Sequence, residues 1–279
     1  MQLTVNRVIQ KSDQAKPVIV PGALLGRIGP LEVRLARDSR EVLAAQQMRH
    51  RIFRGDDAPG GLDIDRFDAF CDHLLVFDTS LSGPTHRRIV GAYRLLRQDI
   101  AVRNGGFYTS AEFQIEQLAQ RHPALTFLEL GRSCVEAEYR TRRTVELLWQ
   151  GIWAYARRHS VDVMTGCASF PGITPAAHAQ ALSFLSQEAG AIDEWHVPAV
   201  AGRGVAMDLM PSEAVDARRA VAAMPPLIKG YLRLGARFSH ECVVDRDFGT
   251  TDVLVVLPVA SISARYINYY GADATRFAA

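Results

Sequence analysis

The sequence predicts an α+β fold (α/β mixed), a central twisted sheet flanked by helices. Three observations carry this expectation. Short apolar runs of strand length recur along the chain, two segments show helical spacing behind capping residues, and residues 127–167 read as strand, basic turn, helix, strand. A length of 279 residues suits one large domain or two small ones. With 48% hydrophobic and 22% charged residues, a sizeable core can form.

In chain order, residues 1–29 carry Pro17, Pro21, Gly22, Gly26 and Gly29 and read as an extended lead-in. Leu31-Glu-Val-Arg-Leu alternates as a strand does. Asp38 stands three residues before Glu41, a capping-box spacing that opens a helix with Val42, Ala45, Met48, Ile52 and Phe53 on its apolar face. His73-Leu-Leu-Val-Phe and Ile89-Val-Gly-Ala-Tyr-Arg-Leu-Leu read as strands joined through Ser82-Gly-Pro-Thr. Residues 127–135 form another strand. The basic turn Tyr139-Arg-Thr-Arg-Arg leads to a helix from Thr144 to about His159, with Thr144 as its cap and Val145, Leu148, Trp149, Ile152 and Ala156 as its stripe. Residues 161–167 read as the next strand and 171–226 as helix and loop. Residues 227–257 return to strand character around Cys242 and Asp252. One domain over 30–270 and a tail over 271–279 complete the expected organisation.

Several chemistries are excluded. The net charge of +2 is too small to point to nucleic acid. The four cysteines have neither zinc nor disulfide-framework spacing. The opening residues lack the apolar core of a signal peptide, and no apolar run reaches about 18 residues. The expected setting is therefore cytoplasmic. Walker A, dinucleotide-binding and G-x-S-x-G patterns are absent. Cys167 has no base near it in sequence, which favours direct attack by a substrate over a covalent acyl-enzyme.

Three constellations are left. Arg140, Arg142 and Arg143 precede a helix whose free N–H groups favour an anion, so this turn suits a phosphate or an acidic protein, or is a solvated loop. Glu129 lies between Leu128 and Leu130, where partial burial would raise its pKa toward that of a useful base; an ion pair with Arg132 or Arg94 is the plainer alternative. Gly131 beside it suits a bulge. Arg49 and Phe53 share a helix face ahead of Asp65 and Asp68, which could hold an ammonium group or cap a turn.

Taken in order, these residues resemble a known family. The blocks Gln47-Met-Arg-His-Arg-Ile-Phe53, Asp72-His-Leu-Leu-Val76, Phe107-Tyr-Thr-Ser-Ala-Glu-Phe113, Leu128-Glu-Leu-Gly-Arg-Ser-Cys-Val135, Gly166-Cys-Ala-Ser-Phe-Pro-Gly172 and Phe248-Gly-Thr-Thr-Asp252 are similar to the ornithine-lipid N-acyltransferases, a hemolysin-like group of the GNAT fold. Pro225-Pro-Leu-Ile-Lys-Gly-Tyr-Leu-Arg-Leu-Gly235 extends the likeness to about residues 31–270. A more distant likeness, to acyl-homoserine lactone synthases, rests on Arg49, Phe53, Asp65, Asp68, Arg94, Glu129 and Arg132.

The resemblance implies a mixed, mostly antiparallel sheet and transfer of a 3-hydroxyacyl group from acyl carrier protein to the α-amine of ornithine, giving lyso-ornithine lipid. Glutamine or lysine is the alternative acceptor, and lactone synthesis the alternative reaction. It implies no tightly bound cofactor and no metal; the phosphopantetheine thioester is a co-substrate. Glu129, with Arg132, would be catalytic, directly or through water. Arg49, Phe53, Asp65, Asp68 and Arg94 would form the acceptor site, and Arg140, Arg142, Arg143 and Thr144 would hold the phosphopantetheine or the carrier. The Arg140-Thr-Arg-Arg-Thr-Val turn lacks the glycines of the usual GNAT phosphate loop, which favours a carrier-bound donor over free acyl-CoA. The amphiphilic product would suit peripheral contact with the inner membrane.

Overall fold

Two-residue periodicity builds one continuous sheet, seen in a computed structural model that describes residues 21–55, 61–263 and 266. Its strands are β1 (Leu24–Ile28), β2 (Leu31–Leu35), β3 (Asp72–Asp78), β4 (Ile89–Arg97), β5 (Phe127–Val135), β6 (Val163–Pro171), β7 (Gly204–Ala206), β8 (Arg237–Asp245) and β9 (Thr250–Pro258). The spatial order is β1-β2-β3-β4-β5-β6-β9-β8-β7. Every neighbouring pair is antiparallel except β5 and β6, as the resemblance implied. The sheet begins at Leu24, inside the expected lead-in. Residues 1–20 and 271–279 lie outside the described residues.

The helices are α1 (Ser39–Arg54), α2 (Thr85–Arg88), α3 (Gln98–Arg103), α4 (Ile115–Arg121), α5 (Arg142–Arg158), α6 (Ala179–Ala189), α7 (Ala217–Ala223) and α8 (Pro226–Arg233). Alternation sends Leu74 and Val76 of β3 to the core under α5 and α6, and Leu75 and Phe77 to the core under α1. On β9, Val253, Val255 and Leu257 face the first core, while Leu254 and Val256 join a third around Phe107, Phe113 and Phe127. Each such side chain stabilises the fold by about 1.5–3 kcal/mol when buried. Both sheet faces are therefore covered. Among the described residues no helix is long and apolar enough to cross a membrane.

Four local expectations are corrected. Asp38 caps α1 through the Arg40 and Glu41 N–H groups, but Glu41 does not complete a capping box. Its carboxylate instead takes both terminal nitrogens of Arg34 at 2.6 Å and the Arg37 N–H at 2.7 Å, because a buried arginine outbids one exposed backbone donor. Helix α5 starts at Arg142 and its cap is Thr141, which accepts from the Thr144 N–H; Thr144 is fully buried within the first turn. The stripe also shifts: Val145 is exposed, while residues 147–156 are buried all round. Lastly, residues 226–233 are helical, with Pro226 at a position where its missing N–H costs nothing.

The strand–helix–strand unit β5-α5-β6 contains the feature that positions the site. Each strand has nine residues, yet they pair only at 127–129 with 163–165. Beyond Glu129 they part. Gly166 stands at the fork with φ +151°, where a Cβ would lie 2.3 Å from the Leu130 carbonyl oxygen, so a side chain there would collide with backbone. On the other edge of β5, Ala92 pairs with Cys134 and Arg94 with Gly131, so that one residue of β4, Tyr93, stands opposite two of β5. This is a β-bulge at Arg132 and Ser133. The residue in the left-handed region is Arg132, at φ +50°, rather than its neighbour Gly131.

Candidate active site

The fork between β5 and β6 opens a cavity of about 350 Å3, with Glu129 to Ser133 on one wall and Cys167 to Ser169 on the other. Phe53, Tyr108, Asp245, Phe248 and Asp252 also line it. Phe53 meets Phe248 edge-on at 5.8 Å. An apolar compartment of about 400 Å3 shares Ile52, Ser133 and Leu227 with the first and extends along Tyr93, Leu148 and Trp149 to Val145 and Arg140. A mainly apolar passage thus leads from the start of α5 to the fork.

Glu129 is buried, and both carboxylate oxygens are engaged. Oε2 accepts the Tyr108 N–H at 2.8 Å; Oε1 accepts the Thr109 N–H at 2.7 Å and the Thr109 hydroxyl. Burial pushes its pKa up, and the hydrogen bonds from Thr109 and Tyr108 and the charge of Arg94 offset only part of that. A carboxylate offers about four acceptor positions. Three are taken, which leaves one on Oε2. The carboxylate is not ion-paired with Arg132 or Arg94; those guanidinium groups face aspartates.

Arg132 is turned by the bulge across the Tyr108 ring, 4.6 Å from its centroid, and pairs with Asp63 and Asp65 at 3.1 Å each. Arg49 is 1% exposed and reaches Asp63 at 2.7 Å and Asp68 at 2.8 Å, while Arg94 holds Asp65 at 2.6 Å. Three arginines and three aspartates form one closed cage. Burial alone would raise the Asp68 pKa, but Arg49, the Asp65 N–H and Arg94 bring it below its ordinary value. Asp65 and Asp68 also cap the turn at Arg66–Ala69 reciprocally.

Of the five residues expected at the acceptor site, Phe53 lines the cavity. Arg49, Asp65, Asp68 and Arg94 do not. Both aspartates are paired with arginines of the cage, Asp65 with Arg94 and Arg132 and Asp68 with Arg49. Asp63, the residue that joins Arg49 to Arg132, was missed.

Arg140, Arg142 and Arg143 are exposed around the first turn of α5. Arg140 donates to the Val135 carbonyl at 3.1 Å, and Arg142 pairs with Glu146 within the helix. Thr141 caps the Thr144 N–H, and the other N–H groups that open α5 have no acceptor within the helix. Thr144 is withdrawn from this group: its hydroxyl lies 3.2 Å from that of Thr141, inside the turn.

Sequence reading also missed an acidic set. Glu112, Asp245 and Asp252 each bring one carboxylate oxygen within 4.8 Å of the others. Cys167 donates its thiol to Glu112 at 3.2 Å and lies 3.7 Å from the Thr109 hydroxyl. Burial, then the Glu112 charge, pushes the Cys167 thiol well above its ordinary pKa. Such a thiol is a poor nucleophile. The one available signal was Asp252, an acid inside the apolar run of β9.

Comparison of the sequence with known proteins shows its family. The acetyltransferase (GNAT) domain family matches residues 48–150. The L-ornithine N(alpha)-acyltransferase of Rhizobium meliloti (strain 1021) is 56% identical over 271 residues, 94% of this chain and 92% of its own. The protein of that name from Brucella abortus (strain 2308) is 55% identical over 91% of this chain and 93% of its own. A solved structure, an N-acyl amino acid synthase from uncultured soil microbes, aligns with a TM-score of 0.43 at 9% identity over 82% of this chain and 91% of its own. At such identity over almost the whole of both sequences, the chain belongs to the L-ornithine N(alpha)-acyltransferase family.

Proposed function

We propose that this chain transfers a 3-hydroxyacyl group from acyl carrier protein to the α-amine of ornithine, forming lyso-ornithine lipid. The observation that carries the reading is the forked β5–β6 cavity, which has a buried carboxylate at its wall and an arginine-rich helix start at the far end of an apolar passage. The acceptor is the one in the names of the relatives; the donor and the residue roles are inferred from the chemistry of the site.

The phosphopantetheine phosphate would sit at the start of α5 under Arg140, Arg142 and Arg143, with the acidic carrier outside the same arginines. The pantetheine arm would follow the apolar compartment to the fork. There the α-amine attacks the thioester carbon, the C–N bond forms, and the C–S bond breaks. A backbone N–H of the β5 bulge would hold the developing oxyanion. Glu129 Oε2 would accept the amine proton, directly or through water, and the departing thiolate would take up a proton to leave as the thiol. Arg132 would shape the pocket through Tyr108 and its aspartates. The product joins a zwitterionic head to an acyl chain, so release at a membrane surface suits it.

Lipid mass spectrometry of a bacterial host that makes no ornithine lipid tests this reading. Expression of the chain is expected to produce lyso-ornithine lipid, and Glu129→Ala is expected to abolish it. No new lipid with the wild-type chain would overturn the reading.

A further inference from the structure

The Asp63–Asp65–Asp68 cage matches each carboxylate with arginine, but the second acidic set is not balanced. Around Glu112, Asp245 and Asp252 the ion pair among the described residues is Arg203 with Glu112, at 3.9 Å, and Arg203 also donates to the Ala111 carbonyl. Asp245 and Asp252 line the cavity. Asp252 is 6% exposed, and its Oδ1 has no hydrogen-bond partner. A buried carboxylate oxygen without a donor is costly unless something else supplies one.

We infer that Glu112, Asp245 and Asp252 form the subsite that receives the side-chain ammonium of the amino-acid acceptor. This rests on the acylation reading above and extends it to acceptor choice. An ammonium carries three N–H donors, and the subsite offers one carboxylate to each. Glu129 and Glu112 lie on one hydrogen-bonded wall, joined through Thr109 and Cys167. A diamino acid suits that wall: its α-amine goes to Glu129 and its far ammonium to the acidic set. A divalent cation fits less well. It needs six or more oxygen ligands or near-octahedral geometry. Here Glu112 already accepts the Cys167 thiol, and Asp245 Oδ1 accepts the Asp247 and Phe248 N–H groups at 2.8 and 3.0 Å. Burial first, then the charge of Asp252, raises the pKa of Glu112 to about 7. Burial also raises that of Asp252, with hydrogen bonds from the Ser169 and Thr250 side chains pulling it down and Asp245 adding to the rise. An incoming cation would relieve the repulsion among the acids.

The test compares ornithine with norvaline, which has the same carbon skeleton without the terminal ammonium. The purified full chain is supplied with 3-hydroxyacyl carrier thioester. Wild type is expected to favour ornithine by at least about 100-fold in kcat/KM, and Asp252→Asn to cut that preference at least tenfold. Asp245→Asn, at the end of β8, repeats the test should Asp252→Asn fail to fold. Equal losses for both acceptors, with the preference retained, would overturn the inference. So would activity abolished by EDTA and restored by a divalent metal. A wild-type chain that acylates neither acceptor fails the reaction reading itself, and the inference with it.

Discussion

Thr109 gives Glu129 two donors, its backbone N–H at 2.7 Å and its hydroxyl, so the carboxylate facing the cavity also clamps the segment after Gly106. The two roles separate by mutation. Glu129→Gln removes the proton acceptor and sets an amide against backbone donors; kcat is expected to fall at least 100-fold. Thr109→Val removes one donor and keeps the carboxylate, so a loss within about tenfold is expected from a hydrogen bond of ordinary strength. Steady-state kinetics with carrier-bound donor reads both.

Cys167 is placed to be mistaken for a nucleophile, since it lines the cavity 3.2 Å from Glu112. Its thiol pKa is raised by burial and by Glu112. Cys167→Ala is therefore expected to retain turnover within about tenfold, and intact-protein mass spectrometry during turnover should show no acylated enzyme.

On the proposed reading the arginine turn recognises the carrier by charge, and its effect should answer to salt. Arg140→Glu with Arg143→Glu is expected to raise the KM for the acyl carrier at least tenfold at low ionic strength. The difference should shrink as the Debye length falls from about 10 Å at 0.1 M to 3 Å at 1 M. KM for ornithine is the internal control.

Glu112 ties stability to pH. Its carboxyl is raised from the usual 4.5 to about 7 by burial first and then by Asp252, so between those values the folded chain binds more protons than the unfolded one. Folding stability from this group is intact below pH 4.5 and is lost as pH rises through 7. Glu112→Gln is expected to raise the melting temperature at pH 8 and to leave it nearly unchanged at pH 5, measured without acceptor by calorimetry. Asp245, Asp252, Cys167 and Arg203 are the groups around it, and ornithine should stabilise wild type more than the variant.

Arg49 is the most buried member of the ion cage. Removal of one partner from a buried ion network leaves an uncompensated charge, so Arg49→Met is expected to cost about 3–5 kcal/mol in urea denaturation. Asp63 and Asp68 would both lose their fully buried partner.

The fold was legible where signals are local. The short apolar runs of β3 and β5 are of strand length and are legible without knowledge of the partner strand. The α5 cap lies three residues before the expected Thr144, because Thr141 and Thr144 are both competent caps and only tertiary packing decides which is buried. The apolar residues of helix α8 suggest a strand, although Pro225 and Pro226 carry a helix-start signal. Glu129 was legible from its apolar neighbours. Glu112 was not: Asp245 and Asp252 reach it only because the β8–β9 hairpin pairs with β6, which requires the sheet order.

The most direct test of the central claim is amide formation by the purified chain. Ornithine with 15N at the α-position is mixed with 3-hydroxyacyl carrier thioester, and the product is read by tandem mass spectrometry. The expected result is one acyl chain on the labelled nitrogen, formed at a rate that falls at least 100-fold in Glu129→Gln. Acylation of the side-chain nitrogen, or turnover unchanged by that substitution, would contradict it.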